Sequence, residues 1–170
     1  RGGRGRKGPG LGLRDRTRPR MGGRLLRERL LDPLMDRLAV QARLDGVEAL
    51  VGDTDLRDSV RGGMREVGDL ERISGKLAQY TAHARDLVAL RHSLEQLPAL
   101  VDPLSAHPAL KAVLASDLCG DVAEDIATWL VDEPPAHLME GGLIRPGLDP
   151  NLDELVRLSR EGKGAIAAIE

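Results

Sequence analysis

The sequence predicts an all-α fold, on three observations. Aromatic residues are almost absent: Tyr80 and Trp129 stand alone and Phe is missing, so the core must be built from Leu, Val, Ala and Ile, which suits helix-on-helix packing better than sheets. Apolar residues recur at steps of three and four along most of the chain, as they do on a helix face. Gly, Pro and Asp stand between these stretches, where helices stop and start. At 170 residues the chain is long enough for one domain with a sizeable core.

Taken in order, residues 1–14 form a tail of Arg, Gly and Pro with little that could be buried, and it is expected to be disordered or not native coding. Leu25, Leu26, Leu30 and Leu31 then make a helical stripe that Asp32-Pro33 ends. A second helix is expected from about Asp36 to Val51, with Leu34, Leu38, Leu44, Val47 and either Leu50 or Val51 facing inward. Gly52-Asp53-Thr54 is a break with a candidate cap, after which Leu56, Val60, Met64 and Val67 carry a third helix interrupted by Gly62-Gly63. Gly68 can close that helix in a left-handed conformation. Asp69 then caps a fourth, whose Leu70, Ile73, Leu77 and Tyr80 share one face.

A longer helix is expected from about Ala84 to Leu100, with a seam of Leu87, Leu90, Leu94 and Leu97 that is too short for a true coiled coil. Pro98 and Pro103 are expected to mark its end. Pro108 opens the next helix, with Leu110, Val113 and Leu114 inward. Asp121 to Val131 carries another on Val122, Ile126, Trp129 and Leu130, with Trp129 expected in the core and D-E-P-P as the stop. Residues 141–147, G-G-L-I-R-P-G, predict a short extended piece and a turn. Asn151 or Asp149 caps a final helix through Leu155, Leu158, Ile166 and Ile169. That periodicity is unbroken at Glu170 and the chain opens on Arg rather than Met, so a fragment of a longer protein is expected.

The charge is divided unevenly. Residues 1–20 carry eight Lys or Arg against Asp15 alone, net +7, which leaves −9 for residues 21–170 within the total of −2. An acidic body has no basic face large enough to hold DNA by charge alone. Arg-Gly tails bind nucleic acid through phosphates, but this one lacks interleaved aromatics that would stack on bases. The single Cys119 excludes an internal disulfide and a multi-Cys zinc site, and it is compatible with a reducing cytoplasm. No apolar run reaches membrane-spanning length and no signal peptide precedes the body.

A search for chemistry finds no catalytic, cofactor-binding or metal-binding residue. His83, His92, His107 and His137 stand at no metal-ligand spacing from one another or from Cys119. Gly162-Lys163 is followed by Gly164, and Arg157 occupies the place of the first glycine of a phosphate-binding loop. Ser74-Gly75 lies inside a helix pattern, without the flanking glycine of a nucleophile elbow. Asp69, Glu71 and Arg72 could suggest a catalytic cluster, but a helix cap with an ion pair explains the same residues.

In order, the motifs resemble the central lever (core) region of the bacterial MutS family of DNA mismatch repair proteins. T-x-x-x-M-G-x-R-L-L-R is matched by Thr17, Met21, Gly22, Arg24, Leu25, Leu26 and Arg27. R-L-D-x-V-x-x-L follows at Arg43, Leu44, Asp45, Val47 and Leu50. The most specific run is G-D-L-E-R-I, Gly68 to Ile73, followed by R-D-L at Arg85 to Leu87 and S-L-x-x-L-P-x-L at Ser93 to Leu100. Last come G-G-x-I-x-x-G at Gly141, Gly142, Ile144 and Gly147, and L-D-E-L at Leu152 to Leu155. The chain departs from the pattern before Asp15, where relatives carry an apolar strand and turn, and at Ala84, where relatives often carry Pro.

This resemblance implies an elongated multi-helix lever domain over residues 15–140, with 141–170 as the connection and first helix toward the clamp arm. It implies a non-catalytic part of an ATP-dependent protein, coupling an ATPase domain to a DNA clamp. ATP and Mg, mismatched duplex DNA, a homodimer and a MutL-type partner would belong to the parent protein, in the bacterial cytoplasm. Helices returning after the clamp would complete the domain, so the face bearing Leu155, Leu158, Ile166 and Ile169 is expected to lack partners here. The rival reading is a free-standing helical scaffold whose basic tail binds nucleic acid.

Overall fold

The computed structural model describes residue 17 and residues 20–111, 114 and 116–167, the last five of these for backbone only. The expected tail, Val113 and Ile169 lie outside the described residues, as does the side chain of Ile166. The elements are helices α1 (Arg20–Leu31), α2 (Arg37–Gly52), α3 (Thr54–Gly63), α4 (Leu70–Ala78), α5 (Ala84–Ser105), α6 (Pro108–Lys111), α7 (Gly120–Trp129) and α8 (Pro150–Ala167), with a 3-10 turn at Leu138–Glu140 before α8. Among the described residues the only β pairing is one antiparallel bridge, Leu130 to Ile144. The chain is all-α, as its composition predicts.

Four helices start on aspartate caps. Asp36 Oδ1 accepts the Leu38 amide at 3.1 Å, Asp53 Oδ1 the Leu56 amide at 2.9 Å, and Asp69 Oδ1 the Arg72 amide at 3.2 Å. Before α8 the cap is Asp149, whose Oδ1 accepts the Asn151 and Leu152 amides, so Asn151 lies inside the helix. Each satisfies amides that the first turn would otherwise leave unpaired.

Helix α5 is the hub: α7, α3, α4 and α6 all pack on it, while α2 packs on α6 and α3. The core joins Ile73 of α4, Val88, Leu90 and Leu94 of α5, Ala123 and Ile126 of α7, and Leu130 just beyond. Leu87 and Leu97 pack against this cluster, so the leucine seam of α5 faces inward as its spacing predicts. Pro98 and Pro103 do not end the helix, which runs through both to Ser105. Each proline forfeits an amide hydrogen bond, but the turns around them are held by packing. Leu97 lies on the core, and Leu100 Cδ2 sits where a Cβ on Gly63 would come within 2.5 Å.

Several residues expected inside are outside. Helix α4 ends at Ala78, and Tyr80 follows in a left-handed turn (φ 55°) with its ring 97% exposed. Trp129 ends α7 and is 52% exposed, because Ile126 and Leu130 take the inward positions. Leu38, Leu44, Val47 and Val51 of α2, together with Leu25, Leu30 and Leu31 of α1, are exposed; α2 turns Gly46, Ala49 and Leu50 inward instead, with Gly46 close against Leu110. Leu155 and Leu158 of α8 are exposed. Gly68 is not left-handed either; among the described residues the positive-φ glycines are Gly141, Gly142 and Gly147, at the extended segment.

Candidate functional site: charged joints between helices

The first joint is built at the N-terminus of α4. Asp69 has a second task besides capping. Arg24, from the middle of α1, places Nη2 2.5 Å and Nη1 3.1 Å from the two Asp69 oxygens and Nε 2.6 Å from Glu71 Oε2. One guanidinium thus grips two carboxylates, a planar fork geometry that lysine could not supply. The Arg24 hydrogen bond holds the Asp69 carboxyl below the usual aspartate range, with the Arg72 amide adding to the effect. The same contacts raise the Arg24 guanidinium above its ordinary value. Arg72, the expected ion-pair partner, is exposed and gives Asp69 its backbone amide instead. The pair lies on the surface, so its value is orientation more than stability.

Gly68 carries the joint to α5. Its amide donates to Ser93 Oγ at 3.0 Å, and the Ser93 hydroxyl donates to Ala89 O at 2.7 Å. Ser93 is 2% exposed. A Cβ on Gly68 would stand 3.0 Å from that Oγ, so close approach to α5, rather than a left-handed turn, is what asks for glycine here. Ile73, one turn into α4 and 3% exposed, drives the same end of the helix into the core. At the other end Lys76 Nζ lies 2.7 Å from Asp86 Oδ1, while Asp86 Oδ2 accepts the His83 amide at the start of α5. These contacts, Lys76 first, hold Asp86 below its usual range.

A second joint closes around Asp132, beyond α7. Its Oδ1 lies 2.9 Å from Arg91 Nη2 of α5 and 2.9 Å from Arg145 Nη2 of the extended segment. Both hold the Asp132 carboxyl below the ordinary range, Arg91 foremost. Arg91 is 4% exposed; its Nε is 3.4 Å from Glu95 Oε1, ion-pair distance without a hydrogen bond. Arg145 also donates Nε to Ala127 O at 2.7 Å and its amide to Trp129 O at 2.9 Å. Arg85 Nε reaches Pro134 O at 3.1 Å, tying the start of α5 to the same connection.

These contacts join the motifs picked out from the sequence. Arg24 of M-G-x-R-L-L-R meets Asp69 and Glu71 of G-D-L-E-R-I, whose Gly68 meets Ser93 of S-L-x-x-L-P-x-L. In G-G-x-I-x-x-G the three glycines take the positive φ values of 71°, 73° and 91°, and Ile144 pairs with Leu130. Gly147 then gives its amide to Asp153 of L-D-E-L at 2.8 Å. Among the described residues R-L-D-x-V-x-x-L makes no such joint: Asp45 accepts from Gln41, within its own helix, and Leu44 and Val47 are exposed. Sequence reasoning missed Arg91, Asp132 and Arg145, which no local spacing connects. Among the described residues no group of His, Cys, Asp and Glu could hold a metal ion, and no helix is long and apolar enough to cross a membrane.

Comparison with known proteins agrees with this arrangement of motifs. A family model described as MutS domain III matches residues 3–169. The DNA mismatch repair protein MutS of Brevibacillus brevis is 45% identical over 168 residues, 97% of this chain and 20% of that protein. MutS of Salinibacter ruber is 41% identical over 169 residues, 98% of this chain and 19% of its own length. MutS of Trichormus variabilis is 46% identical over 143 residues, 82% of this chain and 17% of its own. The chain therefore spans about a fifth of the relatives it matches. With a family match over nearly its whole length, the chain belongs to the MutS family, as its domain III.

Proposed function

We propose that this chain is the helical lever of a bacterial mismatch repair protein, carrying the nucleotide state of an ATPase domain to a clamp on mismatched duplex DNA. The observation that carries the reading is the pairwise joining of the motifs: one arginine fixes α1 to α4, one serine fixes α4 to α5, and a core continues to α7. Elements locked at several points move together rather than bending separately, which is what rigid-body coupling between distant sites requires. Residues 15–140 form the lever body and 141–170 lead toward the clamp. The chain itself is not an enzyme and carries no catalytic, cofactor or metal residue. ATP and Mg, the mismatched DNA, a second copy of the parent and a MutL-type protein engage other parts of the full-length protein, in the bacterial cytoplasm.

The test uses the full-length protein with Arg24→Ala. Affinity for a mismatched duplex is measured with and without ATP, beside the basal rate of ATP hydrolysis. The variant is expected to keep basal hydrolysis and to lose much of the nucleotide-dependent change in DNA affinity, since linkage makes that ratio the measure of coupling. An unchanged ratio would refute the lever reading.

A further inference from the structure

The last helix is attached through the segment before it rather than by helix packing. Helix α8 makes no more than marginal contact with any other described helix. Its tie to the body runs through residues 141–149, where the backbone pairing is confined to the Leu130–Ile144 bridge and its two flanking bonds, Val131 amide to Leu143 O at 3.0 Å and Arg145 amide to Trp129 O at 2.9 Å. Between this segment and α8 lies a cavity of about 430 Å³, lined by Val131, Ile144, Leu152 and Val156 among others. The inner face of α8 is thus half-covered, at Leu152 and Val156, by this segment rather than by another helix.

What sets the direction of the segment is a charged contact. Asp132 Oδ1 is shared between Arg91 and Arg145, and the Arg145 fork also reaches back to Ala127 O on α7. Arg91 is rooted in the core helix and almost wholly buried, with Nε already lacking a hydrogen bond. Of its polar partners Asp132 is the nearest, at 2.9 Å against 3.4 Å for Glu95 and His92, and a buried charge makes that partner hard to replace. We propose that Asp132 and Arg145 are positioning residues that form a latch, fixing the angle at which α8 leaves the helical body, and that releasing it lets α8 swing about residues 141–149. The glycines at 141, 142 and 147, all at positive φ, supply the flexible points on either side of the latched Arg145. The cavity gives the helix room to move. In function this rests on the lever reading: the latch would be the point where motion of the body is passed to the arm.

The experiment uses the 170-residue chain, with Cys119 replaced by Gly to suit its left-handed backbone (φ 52°). Spin labels are placed at the exposed positions Gln96 of α5 and Ser159 of α8. A single narrow distance distribution is expected for the starting chain. Asp132→Asn and Arg145→Gln should each broaden and shift it, with loss of exchange protection at the Val131 and Arg145 amides. The lone Trp129, whose carbonyl accepts the Arg145 amide, should red-shift its emission. Helical circular dichroism and the distance between labels on α5 and α7 should stay as they were, which separates release from unfolding. Arg145→Gln alone decides the matter if Asp132→Asn does not fold. An unchanged α5–α8 distribution in the folded variant overturns the latch. Because nothing here requires DNA or nucleotide, failure of the lever reading in the full-length protein would leave this geometric result standing.

Discussion

Replacing Ser93 by Ala tests the joint between α4 and α5 at one atom. The hydroxyl oxygen removed is the acceptor of the Gly68 amide at 3.0 Å. A buried donor left without a partner costs about 1–3 kcal/mol, and Gly68 is exposed enough to recruit water, which puts the cost near 1 kcal/mol. In a chain of this size that is a fall of about 2–4 °C in Tm. The partner substitution, Gly68→Ala, behaves differently in the two backgrounds. With Ser93 present the new Cβ stands 3.0 Å from Oγ, so the hydrogen bond must stretch and about 1 kcal/mol is lost. In the Ser93→Ala background the obstruction is gone and, since Gly68 is not at positive φ, the substitution should stabilise by about 0.4–1 kcal/mol through the unfolded chain. Urea melts of the four chains give the coupling directly, expected at about 1.4–2 kcal/mol because the substitution acts in opposite directions in the two backgrounds. A Gly68→Ala cost that is the same with and without the Ser93 hydroxyl would refute the reasoning.

Other outcomes follow from the same contacts. Asp69→Asn keeps an oxygen for the Arg72 amide and loses the charge that Arg24 grips, whereas Asp69→Ala loses both; calorimetry should rank Ala below Asn, with Asn below the starting chain, and equal melting points would mean that neither contact matters. Tyr80→Gly relieves a left-handed residue whose ring touches little and should stabilise by about 1 kcal/mol; a lower Tm would show that the ring makes a contact of value. Asp69, Asp86 and Asp132 all have folded pKa values below the ordinary aspartate value of 3.8. The unfolded chain therefore binds protons first as pH falls, so their contribution is complete well above the unfolded value of 3.8 and is lost progressively as pH falls below it through the folded values. A thermal series from pH 7 to pH 3 should be flat and then fall, less steeply for Asp132→Asn.

Much of the fold is legible in the sequence because helices announce themselves locally. The caps at Asp53 and Asp69 and the leucine seam of α5 all follow from chemistry within a few residues. The errors share one cause. Pro98 and Pro103 are expected to stop α5, but Leu97 and Leu100 are held by other helices, and tertiary packing outweighs a local breaker. The spacing of Tyr80 and Trp129 continues a stripe and so predicts them inward, yet each lies at the end of its helix, where the direction of the chain changes. Leu44 and Val47 share one face that the described chain leaves bare, and Leu38 lies on the opposite side of the same helix, whose covered residues include Gly46, Ala49 and Leu50. Of the site, the motifs are visible in the sequence but their meeting is not. Arg24 and Asp69 are 45 residues apart, and Asp132 is shared by Arg91 and Arg145 from two other elements; no spacing encodes either contact. The local pattern assigns Gly68 to a turn, and the structure assigns it instead to the hydroxyl of Ser93.

The central claim is that the joints hold α1, α4 and α5 as one stiff body. The most direct measurement is the distance distribution between spin labels at the exposed Glu28 of α1 and Gln96 of α5, in the Cys119→Gly chain and again with Arg24→Ala. One narrow distance is predicted in the first and a broad distribution in the second, with helix content unchanged. A distribution already broad before Arg24 is removed, or one that its removal leaves narrow, would contradict the claim.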